Sequence, residues 1–116
     1  MAIVVASIPL KVLVHELQYE QYNGINSYGD DTFSEVITIS NVRVEETVEF
    51  KRDISENTVN PKYVIFYDGK HSNPQGVQFK ERSKITFNGT VMVINKVLTF
   101  NQPFSTQLHH IEVECL

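Results

Sequence analysis

The chain has 116 residues and a net charge of −4, from 10 Lys and Arg against 14 Asp and Glu. Its length suits one domain over residues 1–116, at roughly 100–200 residues per domain. The 33 valines, isoleucines and threonines far outnumber the 8 alanines and leucines, which predicts an all-β fold and excludes a helical bundle, while the acidic charge argues against tight nonspecific nucleic-acid binding.

The first predicted element is a strand from Lys11 to Tyr19, in which Leu13, Leu17 and Tyr19 share one phase of the alternation. The residues from Glu20 to Thr32 are rich in Asn, Gly, Ser and Asp, which favour turns. We therefore expect a loop there.

A long strand is predicted from Glu35 to Phe50, and its apolar phase changes partway. Ile37 and Ile39 occupy odd positions, whereas the later valines occupy even ones. One extra residue in the strand produces such a change, so we expect a bulge or corner near Ser40-Asn41.

The stretch from Lys51 to Lys62 is polar, has no periodicity and contains a proline near its end. Few apolar side chains are available there to offset the entropy of ordering the backbone. The sequence predicts a mobile loop.

The run from Tyr63 to Tyr67 predicts a buried strand that ends at Asp68-Gly69. Further on, residues 83–87 alternate strictly and Asn88-Gly89 is the preferred pair for a two-residue type I′ turn. This hairpin pairs Phe87 with Thr90 and Ile85 with Met92, which places Ile85, Phe87, Met92 and Ile94 on the core face.

The last predicted strand runs from Leu108 to Cys115, with Ile111, Val113 and Cys115 on one face. The chain thus contains about six or seven short, mostly antiparallel strands separated by long loops. That pattern is typical of a small single-domain β-barrel or β-sandwich, and both remain open at this point.

Chemical motifs are weak in this sequence. His110, Glu112 and Glu114 would share one face of a strand, as zinc ligands can, but a solvated strand face is the favoured interpretation. The lone Cys115 is best interpreted as a small core residue rather than a nucleophile. We expect no enzyme activity, no catalytic residues, no metal and no cofactor.

Aromatic residues could alternatively form the stacking platform of a nucleic-acid-binding barrel. The candidates are Tyr63, Phe66, Tyr67, Phe87 and Phe100. Core packing is favoured for them, because the chain is acidic and Phe87 lies in the core phase.

The hairpin and its flanks resemble the small minor capsid proteins of tailed phages and prophages of Gram-positive bacteria. The resemblance is carried by the segments 83–89, 93–94, 96–97 and 108–113, by Ile8-Pro9 and Tyr19, by Ile39 with residues 41–44, and by residues 66–68, 72–74 and Phe79. It covers nearly the whole chain. Met92 departs from the pattern, which has tyrosine or another aromatic there.

The resemblance implies a head-tail connector, a head-completion or stopper-like protein that forms a homo-oligomeric ring below the portal. Its partners would be portal or adaptor proteins and tail proteins, with packaged DNA contacted only through the channel and no membrane involved. An acidic chain with a polar loop has little exposed apolar surface to drive self-association, so we expect the free protein to be a monomer. It would reside in the virion, and in the bacterial host cytoplasm during assembly.

In such relatives a long loop projects into the channel, and the nearest candidate here is the predicted loop from Lys51 to Lys62. Its candidate channel residues are Lys51, Arg52, Asp53, Glu56, Asn57, Asn60 and Lys62. Two alternatives remain: a tail-completion or tail-terminator protein, and a single-stranded nucleic-acid-binding β-barrel.

Overall fold

The computed structural model describes residues 6–52 and 57–116, with the backbone alone for 48–52 and 57–62. A 3-10 turn at Leu10–Val12 precedes the strands. The strands are β1 (His15–Glu20), β2 (Tyr22–Ile25), β3 (Asp31–Phe33), β4 (Ile37–Arg52), β5 (Asn57–Asp68), β6 (Lys84–Phe87), β7 (Thr90–Asn101) and β8 (Leu108–Cys115).

Six strands close into an antiparallel barrel in the order β1-β4-β5-β8-β7-β6. The closing contact joins β1 to β6, with Gln18 opposite Thr86 and Tyr19 opposite Ile85. The predicted all-β class is confirmed, and closure of β1 on β6 decides for a barrel rather than a sandwich.

Alternate residues of the barrel strands fill its interior because successive side chains of a strand point to opposite faces. Leu17, Ile39, Ile65, Ile85 and Val113 are each 0% exposed. These β-branched and leucine side chains come from five of the six barrel strands, so closure buries a single shared core.

The β6–β7 hairpin has the predicted register, with Phe87 opposite Thr90 and Ile85 opposite Met92. Asn88 and Gly89 have φ values of 50° and 77°, as a type I′ turn requires at both central positions. Ile85 and Met92 are buried, whereas Phe87 is only partly buried and packs against the core from its edge.

A bulge lies at the predicted place in β4. The β1 pairing passes from Glu16 opposite Ser40 to His15 opposite Val42, which leaves Asn41 as the extra residue. Asn41 has a φ of 55°, and its side-chain amide donates to the His71 carbonyl at 3.1 Å. The bulge shifts Val42 and Val44 into the core phase.

Two predicted elements near the start of the chain are wrong in extent. Residues 11–14 lie outside β1 because a 3-10 turn occupies Leu10–Val12, after Pro9. The predicted loop at 20–32 contains β2 and the start of β3, a separate two-stranded sheet. Its two strands are joined by the turn at Asn26 and pair with each other. They are too short to show the apolar alternation by which a strand is recognised in sequence.

The end of β5 is held by buried polar groups. Asp68 is fully buried, and its carboxylate accepts hydrogen bonds from the backbone N–H groups of Lys70 and His71 at 3.0 and 2.8 Å. Gly69 follows, where an added Cβ would lie 2.6 Å from the Leu108 carbonyl oxygen. Only glycine permits this close approach of β8.

Candidate functional site

Strands β4 and β5 continue as a two-stranded ribbon past the rest of the barrel. Pairing of β4 with β1 stops at Val42, and pairing of β5 with β8 starts at Tyr63. Beyond the pair of Glu46 with Tyr63, the two strands continue to pair with each other out to Arg52 opposite Asn57. We call residues 47–52 and 57–62 the arm. At about 3.3 Å per residue, each side of the arm is roughly 20 Å long.

The arm corrects the prediction of a loop from Lys51 to Lys62. Lys51, Arg52, Asn57, Asn60 and Lys62 all lie in paired strands. Asp53 and Glu56, the other two candidate channel residues, lie outside the described residues.

The loop prediction failed for a physical reason. Backbone hydrogen bonds of an antiparallel ladder do not require an alternating side-chain pattern, and residues 57–62 show none, although the alternation of β4 continues to Phe50. Pro61 is tolerated because β5 has only β4 as a neighbour at that point, and prolines occur on edge strands.

An apolar groove lies on the outer wall near the base of the arm. It has a volume of about 330 Å³ and is lined by Ile8, Val12, Arg43, Phe66 and His110, together with Glu45. Arg43 and Glu45 form an ion pair at 3.5 Å, and both side chains are more than a third exposed. Such a pair adds little to stability, so the groove walls are positioned mainly by the sheet.

The first described residues form a strap that is tied to the barrel through titratable side chains. The Ile8 backbone N–H donates to the Asp68 carboxylate at 3.0 Å, and His71 Nδ1 lies 3.0 Å from the Ile8 carbonyl oxygen. His109 Nε2 lies 2.8 Å from the Ala6 carbonyl oxygen. Asp68 and two histidines therefore hold the strap against the barrel.

His109 and His110 form a hydrogen-bonded chain with Glu112. Their Nδ1 atoms are 2.6 Å apart, and His110 Nε2 lies 3.0 Å from Glu112 Oε2. The contact of His109 with Ala6 extends this chain of hydrogen bonds to the strap.

All four ring nitrogens of His109 and His110 have hydrogen-bonding partners. A metal ion bound to either ring would therefore have to replace one of these hydrogen bonds. Over the part of the chain that the structure describes, no three His, Cys, Asp or Glu side chains form a metal-binding group. The expectation that the protein binds no metal stays a prediction.

Cys115 lies in the core, as its alternation predicts. It is fully buried and pairs with Tyr63 on one side and Ile94 on the other. Burial raises the pKa of its thiol to about 12. The neutral thiol is a poor nucleophile, which agrees with its interpretation as a small core residue.

The five aromatic residues considered for a stacking platform are dispersed. Tyr67 lies in the core, Tyr63 and Phe87 pack against it, and Phe66 lines the groove. Phe100 stacks on His110 with 4.6 Å between ring centroids. These rings do not form one surface on which successive bases could stack.

Two turns expose aromatic side chains. Tyr28, between β2 and β3, is 87% exposed, and Phe104, between β7 and β8, is 97% exposed. No sequence motif marks either residue. The available signal was a lone aromatic in a polar segment with no alternation, as in Gln102 to Gln107.

The structure describes no helix long and apolar enough to cross a membrane. No curated protein matches the chain at a significant level. A family model described as minor capsid protein matches residues 9–115, nearly the whole chain.

This match covers every strand of the barrel and both sides of the arm, and it agrees with the resemblance carried by the β6–β7 hairpin and β8. The family is one of virion structural components, which supports a phage origin. The chain therefore belongs to the minor capsid protein family.

Proposed function

We propose that this minor capsid protein is a head-tail connector subunit of the head-completion, stopper-like kind, which assembles as a ring below the portal. The arm is the observation that carries the proposal. A closed barrel leaves few strand edges for partners, yet this one extends a paired hairpin about 20 Å beyond its wall. Such an element suits a ring subunit that must reach toward a central channel.

The acidic charge supports the same role. A channel through which DNA slides should not hold phosphate tightly, and the chain has four more acidic than basic residues. The role is structural, with no catalytic step, and packaged DNA is met only through the channel.

We expect the ring to assemble on the portal rather than in free solution. A portal that binds several subunits raises their effective local concentration, which replaces intrinsic affinity between neighbours. The free protein is then a monomer in dilute solution, and the ring forms on the head.

The experiment uses a phage or prophage in which the gene for this chain is disrupted. We expect heads that package DNA but lose it and remain tailless, with both defects restored by adding the purified protein. Electron microscopy and nuclease protection of packaged DNA measure the outcome. DNA-retaining heads together with unfinished or overlong tails would instead assign tail completion.

The role of the arm is tested by replacing residues 47–62 with Asn-Gly. This change joins Glu46 to Tyr63, which are directly opposite in the register, and leaves every barrel pairing intact. We expect the variant to bind heads yet fail to retain DNA. Full DNA retention would show that the arm does not close the channel.

A further inference from the structure

The side chain of His15 lies where β1 stops pairing with β4, next to the base of the arm. The register of the two strands ends with His15 opposite Val42. A longer β1 would place Leu13 opposite Val44, but Leu13 lies outside β1, directly after the 3-10 turn. The ladder between β1 and β4 therefore supplies no carbonyl partner for the backbone N–H group of Val44.

The imidazole ring of His15 takes the place of that carbonyl group. The Val44 N–H donates to His15 Nδ1 at 3.0 Å. A backbone N–H group can only donate, so Nδ1 must present a lone pair rather than a proton. This contact thus requires a neutral His15 ring whose single proton is on Nε2.

Packing holds the ring in this position. The rings of His15 and Phe87 meet edge to face, with their centroids 5.0 Å apart and their planes at 70°. Val44 is buried at the edge of the barrel core. Because a buried N–H group without an acceptor is costly, the ring contributes to the stability of β4 at this point.

An open cleft gives solvent access to the ring. The cleft has a volume of about 450 Å³, and Glu16, Phe87 and Asn88 are among the residues that line it with His15. His15 itself is only partly buried. Histidine is the side chain that ordinarily changes its charge between about pH 5 and pH 8. The ring can therefore take up a proton without unfolding of the barrel.

The charged residues on the elements around the ring are of both signs. They are Lys11 of the 3-10 turn, Glu16 of β1, and Arg43, Glu45 and Glu46 of β4. Arg43 and Glu45 form an ion pair with each other. Of the described residues that line the cleft with His15, only Glu16 is charged. A nearby carboxylate favours a protonated ring, so Glu16 requires a control of its own.

We propose that the contact of His15 with Val44 is a pH-sensitive latch, which fixes β4 to β1 at the base of the arm. A second proton on the ring occupies Nδ1, which can then only donate, so the latch opens and β4 keeps its ladder to β5 alone at Val44. The latched state binds one proton fewer than the open state, so opening increases as the pH falls. This inference does not depend on what the arm contacts, and it goes beyond the connector function.

Nuclear magnetic resonance of the purified chain tests the latch. Imidazole nitrogen shifts show which ring nitrogen carries the proton, and we expect a bare Nδ1 on His15 at about pH 7.5. Amide hydrogen exchange, corrected for the intrinsic effect of pH on exchange, measures the protection of Val44. Between about pH 7.5 and pH 5 this protection should fall at least about fivefold, as loss of one hydrogen bond does. Protection of Val113 in the core should change less than about twofold.

Two variants separate the acceptor from its titration. His15→Asn offers an amide oxygen near the position of Nδ1 and does not titrate, so Val44 should stay protected at both pH values. His15→Phe keeps an aromatic ring beside Phe87 but offers no acceptor, so protection of Val44 should be low at both. Glu16→Gln is the matched control, and it should keep the pH response of the parent. Thermal melting at about pH 7.5 checks that each variant folds.

The other outcomes overturn the latch. A proton on His15 Nδ1 at about pH 7.5, or protection of Val44 that does not change with pH, contradicts it in the parent chain alone, even if a variant does not fold. An equal fall for Val44 and Val113 would indicate loss of global stability instead of local opening. A pH response that persists in His15→Asn, or that disappears in Glu16→Gln, would assign the titration to another group. Binding to heads tests the connector function separately from all of these results.

Discussion

The two central hairpins of the barrel contrast in how they are specified. In β6–β7 the Asn88-Gly89 turn, the alternation and the burial of Ile85 opposite Met92 all support one register. In β4–β5 the two strands extend beyond their pairing with β1 and β8 and continue to pair with each other as the arm. A hairpin with one buried face can therefore be predicted from its sequence, whereas residues 57–62, which lack alternation, were not recognised as a strand.

The largest effect on stability is expected from removing a core side chain of β6. Ile85→Ala should lower the free energy of unfolding by about 2–5 kcal/mol, because it leaves a cavity in a closed barrel. Val91→Ala on the same hairpin is the control, and its side chain is 61% exposed. We expect the control to stay within about 0.5 kcal/mol in denaturant unfolding. Equal effects would contradict the assigned core face.

The second test uses Cys115, which pairs with Tyr63 at the base of the arm. Burial raises the pKa of its thiol from 9.0 to about 12, so the folded state keeps a proton that the unfolded state releases. The stabilisation is complete below pH 9 and is lost as pH rises from 9 toward 12, by up to about 1.4 kcal/mol per pH unit. Urea unfolding across this range measures the slope.

Cys115→Val is the control for that titration, because it removes the thiol and keeps an apolar side chain. Its stability should fall less steeply above pH 9 than that of the parent. Identical slopes would mean that the thiol is not buried in a closed core.

The third test is Gly89→Val in the β6–β7 turn. No atom lies within 4 Å of an added Cβ, so the cost comes from the φ of 77° alone. We expect a loss of about 1 kcal/mol, seen as a lower melting temperature. Asn88→Gly, which tolerates positive φ, should change stability little, and a Gly89→Val protein that melts like the parent would remove the type I′ assignment.

The smallest expected effect comes from the arm. Replacing residues 47–62 with Asn-Gly should leave the free energy of unfolding within about 0.5 kcal/mol of the parent, because a two-stranded ribbon alone is marginal and the barrel pairings remain. Calorimetry measures this. A large loss would show that the barrel depends on the arm.

Local patterns predicted much of the barrel wall. The bulge at Asn41 follows from the phase change along β4, and the inward set of Ile111, Val113 and Cys115 follows from alternation in β8. These features have one buried face each. Burial of one face selects the residue types at alternate positions, and that selection can be recognised without a structure.

Features outside the barrel wall could not be predicted, for the opposite reason. Tyr28 and Phe104 lie on turns, where neither periodicity nor burial constrains the side chain, so no sequence pattern marks them. The strap contacts of His71 and His109 join positions more than 60 residues apart, and only the folded chain brings them together.

By itself the sequence determined the all-β class, the β6–β7 register and the inward face of most barrel strands, because alternation and turn residues act over a few neighbouring positions. Only the tertiary structure decided that β1 closes on β6, that the strap lies against Asp68, and that β4 and β5 pair on as an arm. The strand pairings use backbone groups, which every residue except proline shares alike, so side-chain identity carries little record of them. The strap contacts use the side chains of Asp68, His71 and His109, but they join positions 60 or more residues apart, beyond the reach of local patterns.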